Sequence, residues 1–148
     1  MKVPPDAPDP ASDPGRWPAG LYTAAATMTR DLEGVSVTTT TNVAAMLLAP
    51  TPALPPDDVT RNPDGSVTVR LDVAPPLHPT QKAVLTLGGT SANATAVTAV
   101  DVALTFEYPA LDAGPQWVRL TVDGVEGRLL QRSVAPPRFD PAQRVTVP

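Results

Sequence analysis

Val67-Thr68-Val69-Arg70-Leu71-Asp72-Val73 alternates apolar and polar side chains without a break, and the same period of two returns twice further along the chain. Val100, Val102, Leu104, Phe106 and Tyr108 alternate with Asp101, Ala103, Thr105 and Glu107. Val118, Leu120 and Val122 alternate with Trp117, Arg119, Thr121 and Asp123. A period of two turns one face of a strand toward a core and the other toward water, as antiparallel strands do. Less regular runs at residues 21–30, 35–42, 43–49, 82–87, 127–130 and 144–147 complete the expected strands. No ten-residue window carries a helical stripe. Residues 42–48 have a composition that a short helix would accept, but the Thr-rich run before them and Pro50 after them favour a strand.

Turn chemistry divides these runs. Asn62-Pro63-Asp64-Gly65 is a strong β-turn sequence, and Asp123-Gly124 between two strand-like runs reads as a two-residue hairpin turn. The chain holds 20 prolines. Beyond residue 18 they cluster at 50–56, 75–79, 109–115 and 136–141, between the β-rich runs, because proline cannot donate to a sheet ladder. Pro4, Pro5, Pro8, Pro10 and Pro14 are interleaved with Asp6, Asp9 and Asp13. Residues 1–16 therefore read as a flexible Pro/Asp-rich tail, biased toward polyproline II. Short strands separated by Gly/Pro turns predict an all-β fold, an immunoglobulin-like antiparallel β-sandwich over residues 51–148. With no cysteine it has no disulfide. A weak repeat relates Pro18-Ala19-Gly20-Leu21-Tyr22 to Ala113-Gly114-Pro115-Gln116-Trp117, each followed by a strand and a glycine turn. Residues 17–50 thus look like the closing hairpin of a second such unit.

Composition narrows the function classes. The absence of cysteine removes a thiol nucleophile and a Cys-ligated zinc site, and a single histidine removes every multi-histidine metal site. A net charge of −4 with a pI near 4.7 argues against a nucleic-acid partner. No apolar run is long enough for a transmembrane helix, and the first residues lack the apolar stretch of a signal peptide, so no membrane partner and a cytoplasmic location are expected.

Candidate chemistry is sparse. His78, in Pro75-Pro76-Leu77-His78-Pro79, reads as a surface loop residue, since the sequence names neither a nucleophile nor an orienting acid for it. Asp57-Asp58 and the Asp6/Asp9/Asp13 series lack the ligand spacing and turn glycine of a calcium loop. No cofactor and no enzymatic activity are expected. Phe106 and Tyr108 share the apolar face of their strand and belong to the core. Trp117 has the opposite parity to Val118 and Leu120, which makes it either a strand-end residue or an exposed aromatic anchor for a protein interface. Residues 21–49 contain no lysine, and their only charges are Arg30, Asp31 and Glu33. A low-charge, Thr-rich edge of this kind is a template for strand addition. Leu21, Tyr22, Thr38 and Thr40 are accordingly candidate interface residues beside Trp117. The segment is expected to join the sandwich and leave one edge for a protein partner or a second copy.

The sequence Pro18-Ala19-Gly20-Leu21-Tyr22 through Pro50, the run Asp64-Gly65-Ser66-Val67 through Gly89, the run Gln116 through Leu130, and Arg138-Phe139-Asp140-Pro141 through Pro148 together resemble one family. They are similar to the C-terminal immunoglobulin-like region of the cap, or tail-terminator, proteins of phage-tail-like contractile injection systems. The similarity spans about residues 17–148 and is most specific at Val118-Arg119-Leu120-Thr121-Val122-Asp123-Gly124-Val125-Glu126. The tail-facing N-terminal domain of that family has no counterpart in these residues. The resemblance implies a structural, non-enzymatic component of a bacterial particle, working against protein neighbours. The alternative is an immunoglobulin-like adhesive or carbohydrate-binding module of a larger surface protein.

Overall fold

In a computed structural model, the chain is described at residues 17–54, 58–95, 97, 100–131 and 133–148. The tail expected over residues 1–16 lies outside the described residues. Among the described residues fifteen strands follow in order: β1 (Gly20–Ala24), β2 (Thr27–Leu32), β3 (Val35–Thr40), β4 (Ala44–Leu48), β5 (Thr51–Pro52), β6 (Asp58–Arg61), β7 (Val67–Leu77), β8 (Ala83–Leu87), β9 (Thr90–Asn93), β10 (Asp101–Tyr108), β11 (Gly114–Val122), β12 (Val125–Glu126), β13 (Leu130–Gln131), β14 (Arg138–Phe139) and β15 (Arg144–Val147).

From β5 onward they build a β-sandwich of all-antiparallel sheets with immunoglobulin-like connectivity. One sheet places β7 between β10 and the short pair β5 and β6. The other runs β9, β8, β11, with β12 and β15 sharing the far side of β11. The chain crosses between sheets from β7 to β8, from β9 to β10 and from β10 to β11. The last strand position is split: β12 leaves β11 after two residues, an excursion carries the small ribbon β13–β14, and β15 returns to pair with Gly114–Trp117.

Alternation explains the core. Val67, Val69, Leu71 and Val73 of β7 and Leu104, Phe106 and Tyr108 of β10 meet Leu85 and Leu87 of β8, Val118, Leu120 and Val122 of β11, and Val145 and Val147 of β15; all are buried. Tyr108 crosses the sandwich, and its hydroxyl donates to the Leu85 carbonyl at 2.8 Å, so the one polar atom of a wholly buried ring is satisfied. Burial pushes that phenol well above its ordinary pKa. The sandwich closes along both sides: Ala94 bridges to Phe106, and the Arg61 Nε donates to the Pro148 carbonyl at 2.9 Å.

Three expectations need correction. Val100 and Val102 do not continue the buried face of Leu104; both are exposed. The ladder between β10 and β7 shifts between Asp101 and Ala103, which resets the side-chain parity at that end. The proline cluster at 75–79 does not bound its strand, since β7 runs through Pro75 and Pro76 to Leu77. Those prolines fall where β7 has no partner on β10, between Asp72↔Ala103 and Leu77↔Asp101, so no donor is missed. The strand expected over 127–130 is replaced by the excursion between β12 and β13.

Residues 20–48 depart furthest. They form the expected hairpin, but no strand of it pairs with the sandwich among the described residues. β1 pairs with β4 and β2 with β3, giving one exposed ribbon, an arm whose strands run about 40 Å along the chain at ~3.3 Å per residue. Its base alone is tied down. Ala19 enters the core, the Gln81 side chain donates to the Ala19 carbonyl at 2.8 Å, and the Pro50 carbonyl lies against Gly127.

Two outcomes check this packing. Leu120→Ala, at a side chain 1% exposed, lowers unfolding free energy by about 2–5 kcal/mol in denaturant titration; a change under ~0.5 kcal/mol would mean an exposed side chain. A Cβ at Gly127 would sit 2.7 Å from the Pro50 carbonyl oxygen and 3.2 Å from that of Leu120. Gly127→Val therefore shifts the base of the arm, seen as altered amide shifts at residues 49–52; unchanged amides there would contradict the contact.

Candidate functional site

The arm is built by local chemistry. Glu33 and Gly34 both adopt positive φ (55° and 82°), the geometry of a two-residue hairpin turn, and the Asp31 carboxylate accepts from the Gly34 N–H at 2.7 Å. The register then sorts the distal side chains by face. Thr27, Thr29, Asp31, Ser36, Thr38 and Thr40 share one face, where Thr27 meets Thr40 and Thr29 meets Thr38 through hydroxyl pairs at 3.1 and 3.0 Å. Met28, Arg30, Leu32, Val35, Val37 and Thr39 share the other. The arm is thus amphipathic, with a threonine face and an apolar face.

Between the two halves, three residues (41–43) on the returning side oppose two (25–26) on the outgoing side, an extra residue that bends the ribbon. The Ala26 N–H is held by the Thr41 hydroxyl at 2.9 Å and the Thr41 N–H by the Ala26 carbonyl, so the ladder is carried across the step. In the proximal half Leu21 and Leu47 sit opposite each other, both more than two-thirds exposed.

Of the candidate interface residues, Leu21, Thr38 and Thr40 are exposed on this arm. Tyr22 is not: its ring is buried against Trp17 at 4.9 Å, and its hydroxyl donates to the Pro18 carbonyl. It is a bolt at the base of the arm rather than a contact surface, because its parity on β1 turns it toward the entering chain. Residues missed by composition are those of the apolar face. Met28, Leu32 and Val35 are each about half exposed or more, as is Met46 opposite Tyr22 in the proximal half, although nothing in the sequence marks them as uncovered. A cross-strand pairing of positions 28 and 39 would have exposed the pattern.

Trp117 lies apart from the arm, on the outer face of β11. Its ring is in contact with Phe139 at 5.2 Å, and the Arg144 guanidinium lies over it at 5.2 Å from the ring centre. It is an exposed aromatic inside β11, not a strand-end residue, at the point where pairing passes from Arg144 of β15 to Leu87 of β8. His78 is half-buried in the turn between β7 and β8, where its backbone bonds with Gln81 fix the loop. Asp57 and the tail aspartates lie outside the described residues. Among the described residues no cluster of three or more His, Cys, Asp or Glu could hold a metal ion, and no helix is long and apolar enough to cross a membrane.

A family model described as a domain of unknown function, DUF8756, matches residues 50–147. That span is the sandwich from β5 to β15, and the arm precedes it. No curated protein and no solved structure matches the chain. By the match over most of its length, the chain belongs to the DUF8756 family, whose domain here is the β-sandwich.

Proposed function

We propose that the chain is a non-enzymatic structural module that joins a larger assembly by burying its arm against a protein neighbour. The resemblance of residues 17–148 makes a phage-tail-like contractile particle, built in the bacterial cytoplasm, the assembly in question. The observation that carries the reading is the apolar face of the arm. Met28, Leu32 and Val35 stand in water on a ribbon that has no third strand among the described residues. A lone two-stranded hairpin is marginal in water. Fully burying such a side chain contributes about 1.5–3 kcal/mol each, so covering this face is a strong drive to associate. The arm also offers backbone edges on both strands, and lysine, the usual guard against edge pairing, is absent from it. Strand addition and face burial act together in such a contact.

The alternative, an adhesive or carbohydrate-binding module, draws support from the exposed pair Trp117 and Phe139. That pair is inclined by 38° and capped by Arg144, which is a poor platform for the flat face of a sugar ring.

Met28→Lys combined with Val35→Glu places opposite charges on the apolar face without setting like charges across from each other. Expressed in the source cell and fractionated by velocity sedimentation, the natural chain runs with large particles, and the double variant falls at least tenfold in that fraction with the sandwich's melting temperature unchanged. A natural chain confined to the monomer position, or a variant that sediments equally, contradicts the proposal.

A further inference from the structure

The outer face of the second sheet is a different surface from the arm, and it has its own chemistry. Strand register sets Trp117 beside Arg144 on that face, with Arg119 one step along β11 paired to Glu126 at 2.7 Å. Phe139 of the excursion leans on Trp117 and forms the rim of a cleft of about 510 Å³, whose other walls include Ala49, Gly127, Arg128, Leu129 and Leu130. Among the described residues Arg119 is paired with Glu126, Arg138 donates to the Gln131 side chain at 3.4 Å and Arg144 lies over the Trp117 ring, while Arg128 lines the cleft. The carboxylate of Asp140 is turned to the Ala142 N–H. The cleft is walled by one basic and one acidic side chain, Arg128 and Glu126, the latter engaged by Arg119; beside it the inclined aromatic pair carries the Arg144 guanidinium, on a chain whose net charge is −4.

We infer that this face binds an extended, acidic, proline-rich peptide segment. With the ring faces inclined and Arg144 over Trp117, what the pair offers a ligand is ring edges suited to a compact pyrrolidine rather than a flat ring, and aromatic-lined grooves are the usual receptors for polyproline II ligands, whose stiffness limits the entropy lost on binding. Guanidinium groups supply the planar donors that carboxylates accept. The chain itself contains a sequence of this chemistry. In Pro5-Asp6-Ala7-Pro8-Asp9, prolines three apart would share one edge of a peptide with three residues per turn, and the two aspartates the next edge. Copies of the chain thus hold both a receptor and a ligand type, which would link neighbours through a contact separate from the arm.

The test uses the full chain carrying Asp6→Asn, Asp9→Asn and Asp13→Asn, so that its own sequence does not compete. The probe is a synthetic peptide of residues 4–14, and the signal is the Trp117 indole N–H in nitrogen-edited NMR spectra, assigned with Trp117→Phe. The expected result is a saturable shift of that signal. Its affinity falls at least tenfold when the three aspartates of the peptide are replaced by asparagine, and again when the receiver carries Arg144→Gln. No saturable shift overturns the inference, as does equal binding of the asparagine peptide. A shift produced by xylo- or gluco-oligosaccharides and not by the peptide overturns it in favour of a sugar site.

Discussion

The contact between two inner sheet faces holds everything else in place. Four long or medium strands, β7 and β10 on one side and β8 and β11 on the other, each turn every second residue inward, and the resulting layer is almost wholly aliphatic with Phe106 and Tyr108 at its centre. Such a layer needs no disulfide or metal at this chain length. It also fixes what lies outside it. Once Val118 and Leu120 face inward, Trp117 and Arg119 must face out, and pairing with β15 brings Arg144 to Trp117. The aromatic and arginine face is a consequence of the core.

The arm is the converse case. Among the described residues this strand pair has no further strand beside it and so hides neither face; Ala19 at its foot enters the shared core, and the Tyr22 ring packs on Trp17. Gln81 joins the two parts: one amide group donates both to the Ala19 carbonyl and to the Asp123 carboxylate, which also accepts from the Lys82 N–H. The base is therefore set by the loop after β7 and the turn after β11, and the rest is held by its own ladder. An element tied down at its root and bearing one apolar face beyond it is what the proposed assembly role rests on.

Much of the sandwich was legible because alternation is a local property. The runs at 67–73, 104–108 and 118–122 state their own inner faces, and Asn62-Pro63-Asp64-Gly65 and Asp123-Gly124 state their turns, the latter with the positive φ values a hairpin turn requires. What was not legible depends on pairing. Val102 carries the same parity as Leu104 and is exposed only because the ladder to β7 slips beside it. The two faces of the arm emerge only when 28 is set against 39 and 30 against 37, since neither strand alone alternates cleanly between apolar and polar residues. Nor does the sequence say that the hairpin stands apart, since whether a third strand joins it, and none does among the described residues, is a fact about geometry. Trp117 was placed on the right side of its strand by parity, but its two companions come from residues more than twenty positions away.

Backbone hydrogen exchange of the arm, followed in the dilute single chain and in the assembled state, tests the central claim most directly. Local stability scales with the burial that protects each ladder. The account predicts that amides of residues 27–40 exchange orders of magnitude faster than those of Val69, Leu85 and Leu120 in the dilute chain, and slow by at least a hundredfold on assembly. Equal protection of arm and core in the dilute chain, or an arm that stays unprotected in the assembled state, would contradict it.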